Sequence, residues 1–81
     1  MYNGEFSRQL PPDIRRVTQR KLFMVVRARS LGDLRSPPSN RLEALRGNRA
    51  GQYSIRINDQ WRICFSWSDD GAVDIDVVDY H

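Results

Sequence analysis

The sequence predicts an α+β domain in which an N-terminal helical region packs on one face of an antiparallel sheet. Three observations predict it: apolar residues at helical spacing in the first half, three consecutive alternating runs in the second, and turn-forming clusters between them. At 81 residues the chain is expected to form one domain with a thin core, because small domains bury a smaller share of their surface. That single domain, residues 1–81, divides into a lead-in over 1–11, a helical part over 12–34, loops with a core anchor over 35–51, and antiparallel strands over 52–81.

Leu10-Pro11-Pro12-Asp13 marks the helix start. Proline suits the first turn, where its missing amide hydrogen costs nothing, and the aspartate sits near the positive end of the helix dipole. The helix should run from Pro12 to about Arg29, with Ile14, Val17, Met24, Val25 and Ala28 as its apolar stripe and Arg15, Arg16, Arg20 and Arg27 mostly off it. Leu22, Phe23 and Val26 widen the apolar surface beyond one stripe, which predicts a contact on a second side. Ser30-Leu31-Gly32-Asp33-Leu34 adds a short helical turn. Ser36-Pro37-Pro38-Ser39-Asn40 reads as a loop, since two prolines restrict the backbone and remove two donors. Leu42 and Leu45 anchor the next segment to the core, and Gly47-Asn48-Arg49-Ala50-Gly51 is a second connection.

The strands form a three-stranded C-terminal meander. Tyr53, Ile55 and Ile57 alternate with Ser54 and Arg56; after a turn at Asn58-Asp59, Trp61, Ile63, Phe65 and Trp67 alternate with Arg62, Cys64 and Ser66. Ser68-Asp69-Asp70-Gly71 turns the chain again. Val73, Ile75 and Val77 are then the inward set of the last strand, with Asp74 and Asp76 outward, and the broken alternation at Val77-Val78 predicts a bulge or strand end there.

Composition narrows the function. The longest apolar stretch, Leu22 to Val26, is far too short to span a membrane, and the first residues carry no basic-then-apolar leader, so a cytoplasmic location is expected. A lone Cys64 allows no internal disulfide and no cysteine-based zinc site within one chain. The net charge of +3 is uneven: residues 1–58 hold twelve of thirteen Lys/Arg and four of ten acids, whereas residues 59–81 set Arg62 against six aspartates. Arginines at 41, 46, 49 and 56 either offer phosphates a positive surface or are ordinary solvated side chains. Arg56 and Arg62 fall on the sheet face that the helix leaves uncovered. They are ligand contacts, or they pair across strands with Asp74 or Asp76.

Three stretches carry a family resemblance: Asn40-Arg41-Leu42-Glu43-Ala44-Leu45-Arg46-Gly47, the run from Gly51 through Trp61-Arg62-Ile63, and the terminal Asp79-Tyr80-His81. They resemble the HigB branch of the RelE superfamily of toxins, and the Leu10-Pro11-Pro12 and Ser30–Leu34 segments do so less specifically. The resemblance implies a RelE-like microbial-RNase fold, a toxin of a type II toxin-antitoxin system, and ribosome-dependent cleavage of messenger RNA without a metal or cofactor. It also implies a HigA-like helix-turn-helix antitoxin that neutralises the toxin and is its only link to operator DNA. Arg62 resembles the family's phosphate-stabilising arginine and His81 its terminal histidine, with Asp79 and Tyr80 completing the motif and Arg41, Arg46, Arg49 and Arg56 expected to contact RNA. Glu43 stands where some members carry a histidine, so the base is either that carboxylate or His81 alone, and Arg46 stands where the family carries Lys or Arg. Family members usually open with a strand that this sequence is expected to lack. The bared sheet edge and the apolar surface at Leu22, Phe23 and Val26 then predict self-association or dependence on the antitoxin. The alternative reading is a non-catalytic relic that binds RNA, the ribosome or the antitoxin.

Overall fold

In a computed structural model, which describes residues 11–69 and 71–79, helix α1 (Pro12–Arg27) starts at the expected prolines with Asp13 in its first turn. It ends two residues before the expected Arg29. Ala28 is extended, and the amides of Arg29 and Ser30 donate to the Asp33 carboxylate at 3.0 and 3.3 Å, so the cap of the following turn stops the helix. That turn, Leu31–Arg35, is 3-10 rather than α, and two further 3-10 turns, Pro38–Asn40 and Gly47–Arg49, lie within the segments read as loops.

The buried line along α1 is Ile14, Thr18, Lys21 and Val25, steps of three and four residues that keep to one side, with buried Ala28 just past its end. Apolarity alone finds only its ends, because the two central members are polar. Leu22 is corrected from surplus surface to core, whereas Phe23 and Val26 are 60% and 63% exposed. Among the described residues no helix is long and apolar enough to cross a membrane.

The sheet has four antiparallel strands in sequence order: β1 (Glu43–Ala44), β2 (Gln52–Arg56), β3 (Trp61–Ser68) and β4 (Gly71–Asp79). The three-stranded expectation therefore gains a two-residue strand, too short to show alternation in sequence. Pairing holds it: Glu43 lies opposite Ser54 and Ala44 opposite Tyr53, and the Leu45 amide donates to the Gln52 carbonyl at 2.8 Å.

Cross-strand register separates the two faces. Tyr53 opposite Phe65, and Ile55 opposite Ile63 opposite Val77, belong to the helix side, where Ile55, Ile63 and Phe65 are completely buried with Val25. The other side carries the row Glu43, Ser54, Cys64, Asp76 and beside it the row Arg56, Arg62, Val78. The break in β4 is not at Val77-Val78. Cys64 pairs with Asp76 and Ser66 with Val73, which leaves an extra residue in β4, and Asp74 there takes a left-handed φ of 52°. The insertion reverses the phase beyond it, so Val73 shares the row of Ser66 away from the helix and Ala72 faces inward opposite Trp67. Ile75 still packs on the core. Gly71 opens β4 at φ 133° beside the Ala28 carbonyl, a backbone position that strains any side chain.

Candidate functional site

Arg56 and Arg62 lie directly opposite each other on β2 and β3, and like charges so placed repel. The pair is held in place by what surrounds it. Arg62, whose side chain is 13% exposed, donates from Nε to Ser54 Oγ at 2.9 Å and from Nη2 to the Arg41 carbonyl at 2.8 Å, and its Nη2 lies 3.2 Å from Glu43 Oε1. Arg56 is paired with Asp59. Arg41, Glu43, Arg56, Asn58, Asp59 and Arg62 line an open pocket of about 260 Å³. Three guanidinium groups against two carboxylates at its wall, with one guanidinium fixed by a buried hydroxyl and a carbonyl, suit an anionic ligand that is bound by forked donors.

The loop before β1 sets one wall. Arg41 adopts φ 46°, ψ 58°, a left-handed conformation that costs an L-residue roughly 1–2 kcal/mol, and its carbonyl is the one that Arg62 reaches. Asn40 beside it is wholly buried. Its Nδ2 donates to the carbonyls of Leu34 and Ser36 at 3.2 and 3.4 Å, and its Oδ1 accepts from Lys21 Nζ at 2.9 Å. Lys21 Nζ also donates to the Arg56 carbonyl at 2.7 Å. Burial lowers the Lys21 pKa below the ordinary lysine range, with Arg20 and Arg56 adding to the effect.

Of the residues singled out from sequence, Arg41, Glu43, Arg56 and Arg62 come together in this pocket. The rival pairing of Arg62 with Asp74 or Asp76 is not the register found: Val78 lies opposite Arg62, Asp76 lies opposite Cys64, and a carboxylate against Arg62 is Glu43 from β1. Arg46 borders an adjoining depression with Glu43, Ala44 and Leu45, and Arg49 donates to Gln52 Oε1 at 3.1 Å. Asp79 sits at the end of β4 opposite Trp61, where it accepts from Gln60 Nε2 at 3.2 Å, outside the lining of the Arg62 pocket. Tyr80 and His81 lie outside the described residues. Sequence reasoning missed Lys21, Asn40 and Ser54 as parts of the site and took Asn58 and Asp59 as turn residues only. Asn58 is indeed a turn residue, its Oδ1 accepting the amides of Gln60 and Trp61 at 2.8 Å each.

Cys64 lies buried under this face, and burial pushes its thiol pKa up, Asp76 adding to the rise while Arg49 and Arg62 oppose it. A raised pKa means less thiolate at a given pH. At pH 8 the native chain should therefore react with iodoacetamide far more slowly than the chain in urea; equal rates would contradict the buried placement.

The profile of the RelE-like toxin of the type II toxin-antitoxin system HigB matches residues 1–81. Toxin HigB-1 of Vibrio cholerae serotype O1 is 44% identical over 66 residues, which cover 82% of this chain and 70% of that protein. An uncharacterized protein of Haemophilus influenzae is 38% identical over 64 residues, 79% of this chain and 63% of that protein.

Proposed function

The chain belongs to the HigB-like toxins, RelE-like members of type II toxin-antitoxin systems, and from that premise we propose that it is a ribosome-dependent endoribonuclease acting on messenger RNA. An antitoxin partner is implied by membership of a type II system; we take it to be a HigA-like helix-turn-helix protein, through which alone the toxin reaches operator DNA.

The observation that carries the reading is the Arg62 guanidinium, held by Ser54 and the Arg41 carbonyl in a pocket with two further arginines. Cleavage by internal transfer forms a bond from the ribose 2′-oxygen to the adjacent phosphorus and breaks the bond to the 5′-oxygen. The products are a 2′,3′-cyclic phosphate and a 5′-hydroxyl. Three roles have to be filled: a base for the 2′ proton, a cation for the charge that builds on the phosphoryl oxygens, and an acid for the departing oxygen. Arg62 is the cation, since its charge is permanent and its donors match two phosphate oxygens. In this reading Glu43, 3.2 Å from Arg62, is the base and His81 the acid, with Asp79 and Tyr80 completing the terminal motif. Arg41 and Arg56 hold the flanking phosphates, and Arg46 and Arg49 extend the positive surface. Induced expression followed by mapping of RNA ends tests this directly. New 5′-hydroxyl ends within translated messages are expected; growth arrest without such ends would favour a chain that only blocks the ribosome by binding.

The second contact predicted for α1 has a counterpart in an apolar pocket of about 240 Å³ lined by Gln19, Leu22, Phe23, Val26 and Ile75. We read it as a surface that self-associates in the isolated toxin. Sedimentation velocity should show concentration-dependent association of the free chain, reduced by the double substitution Phe23→Ser, Val26→Ser. A monomer at every concentration before substitution would remove this reading.

A further inference from the structure

We infer that Lys21 is a positioning residue of the Arg62 pocket: its buried ammonium ties the Asn40-Arg41 loop to the end of β2 and so sets where the Arg62 and Arg56 guanidinium groups stand. The inference rests on the phosphate role proposed above for Arg62.

Packing alone disfavours a lysine at this position. Lys21 is 6% exposed in the centre of the buried line of α1, between Thr18 and Val25, and among the described residues its hydrogen-bond acceptors are neutral: the Asn40 side-chain oxygen and the Arg56 carbonyl. Burying an ammonium against neutral acceptors is costly, and its lowered pKa reports that cost. A methionine, one atom shorter, would fill most of the space without it. What methionine lacks is a group that bonds two separate chain segments at once, and each of those segments delivers an arginine to the pocket.

The first segment runs through Asn40. Its side-chain oxygen takes the Lys21 bond, its amide holds the carbonyls of Leu34 and Ser36, and the next residue, Arg41, is fixed in a left-handed conformation with its carbonyl on Arg62 Nη2. The second is the end of β2, where the carbonyl bonded by Lys21 belongs to Arg56, the cross-strand neighbour of Arg62. Lys21 therefore joins the two walls from beneath without lining the pocket itself.

The test is Lys21→Met, read first by the exchange of the Arg62 Nε hydrogen in nitrogen-15 NMR spectra. In the parent chain this hydrogen is shielded by its bond to Ser54. In the variant it should exchange about tenfold faster or more while the amides of Ile55, Ile63 and Phe65 keep their protection; unchanged exchange at Arg62 would overturn the inference. If Lys21→Met also loses the core protection, Lys21→Gln is read in the same way, since its amide keeps a polar donor at the position but is one atom too short to bond both Asn40 and the Arg56 carbonyl. The second readout is a double-mutant cycle with Arg62→Lys in cleavage of ribosome-bound message. Lys21→Met should slow cleavage about tenfold or more with Arg62 present and add nothing in the Arg62→Lys background. Losses that multiply in both backgrounds would mean that Lys21 is structural only. If the parent chain does not cut at all, the nuclease reading fails, while the exchange measurement still decides the role of Lys21.

Discussion

Induced synthesis of the Arg62→Ala chain should leave cells growing where the parent chain arrests them. Removing a fixed donor aimed at charge that develops in a transition state costs about 10²–10³ in rate, and no neighbour can stand in for Arg62. Arg56, its cross-strand partner, is already engaged by Asp59, and Arg41 meets Arg62 through its backbone. The substitution also unpairs Ser54 Oγ and the Arg41 carbonyl, each worth roughly 1 kcal/mol, so the variant should remain folded. Two measurements separate chemistry from stability: the thermal midpoint of the purified variant, expected to fall by roughly 10 °C with the transition still cooperative, and capture by the antitoxin, expected to persist. Arrest that survives Arg62→Ala would point to a toxin that blocks by binding.

Phe65→Ala should unfold most of the chain at ambient temperature. Phe65 is completely buried in the middle of β3, with its ring 6.2 Å from that of Tyr53 and 6.4 Å from that of Trp67. Truncating a buried phenylalanine costs about 3–5 kcal/mol, which matches the lower end of the total stability of small domains. Urea titration followed by far-ultraviolet circular dichroism should show a cooperative transition in the parent chain and little or none in the variant. A variant with a transition within about 1 kcal/mol of the parent would mean that the helix-side layer does not form the core.

Elements whose periodicity comes from apolar side chains are legible in the sequence. The alternation of Tyr53 to Ile57 and of Trp61 to Trp67 places Arg56 and Arg62 on the face away from the helix, and that face carries the pocket. Three features were hidden because polar groups or backbone geometry determine them. The line Ile14, Thr18, Lys21, Val25 is interrupted for a reader of apolarity, although its spacing is regular. Strand β1 is two residues long and exists through its bonds to β2. The β4 bulge depends on a left-handed aspartate at 74, which nothing in the alternation of Val73, Ile75 and Val77 announces. The pocket shows the same division: Arg62 and Arg56 stand out by type and alternation, whereas Ser54, Asn40 and Lys21 act through partners distant in sequence. The roles of Glu43, Asp79, Tyr80 and His81 come from the resemblance rather than from pattern.

The most direct measurement uses purified ribosomes carrying a defined message and the purified toxin. The message should be cut in the presence of translating ribosomes, leaving a 2′,3′-cyclic phosphate on the upstream fragment, and the Arg62→Ala chain should cut it at least about a hundredfold more slowly. An intact message with the parent chain, or equal cutting by the two chains, would contradict a phosphate role for Arg62.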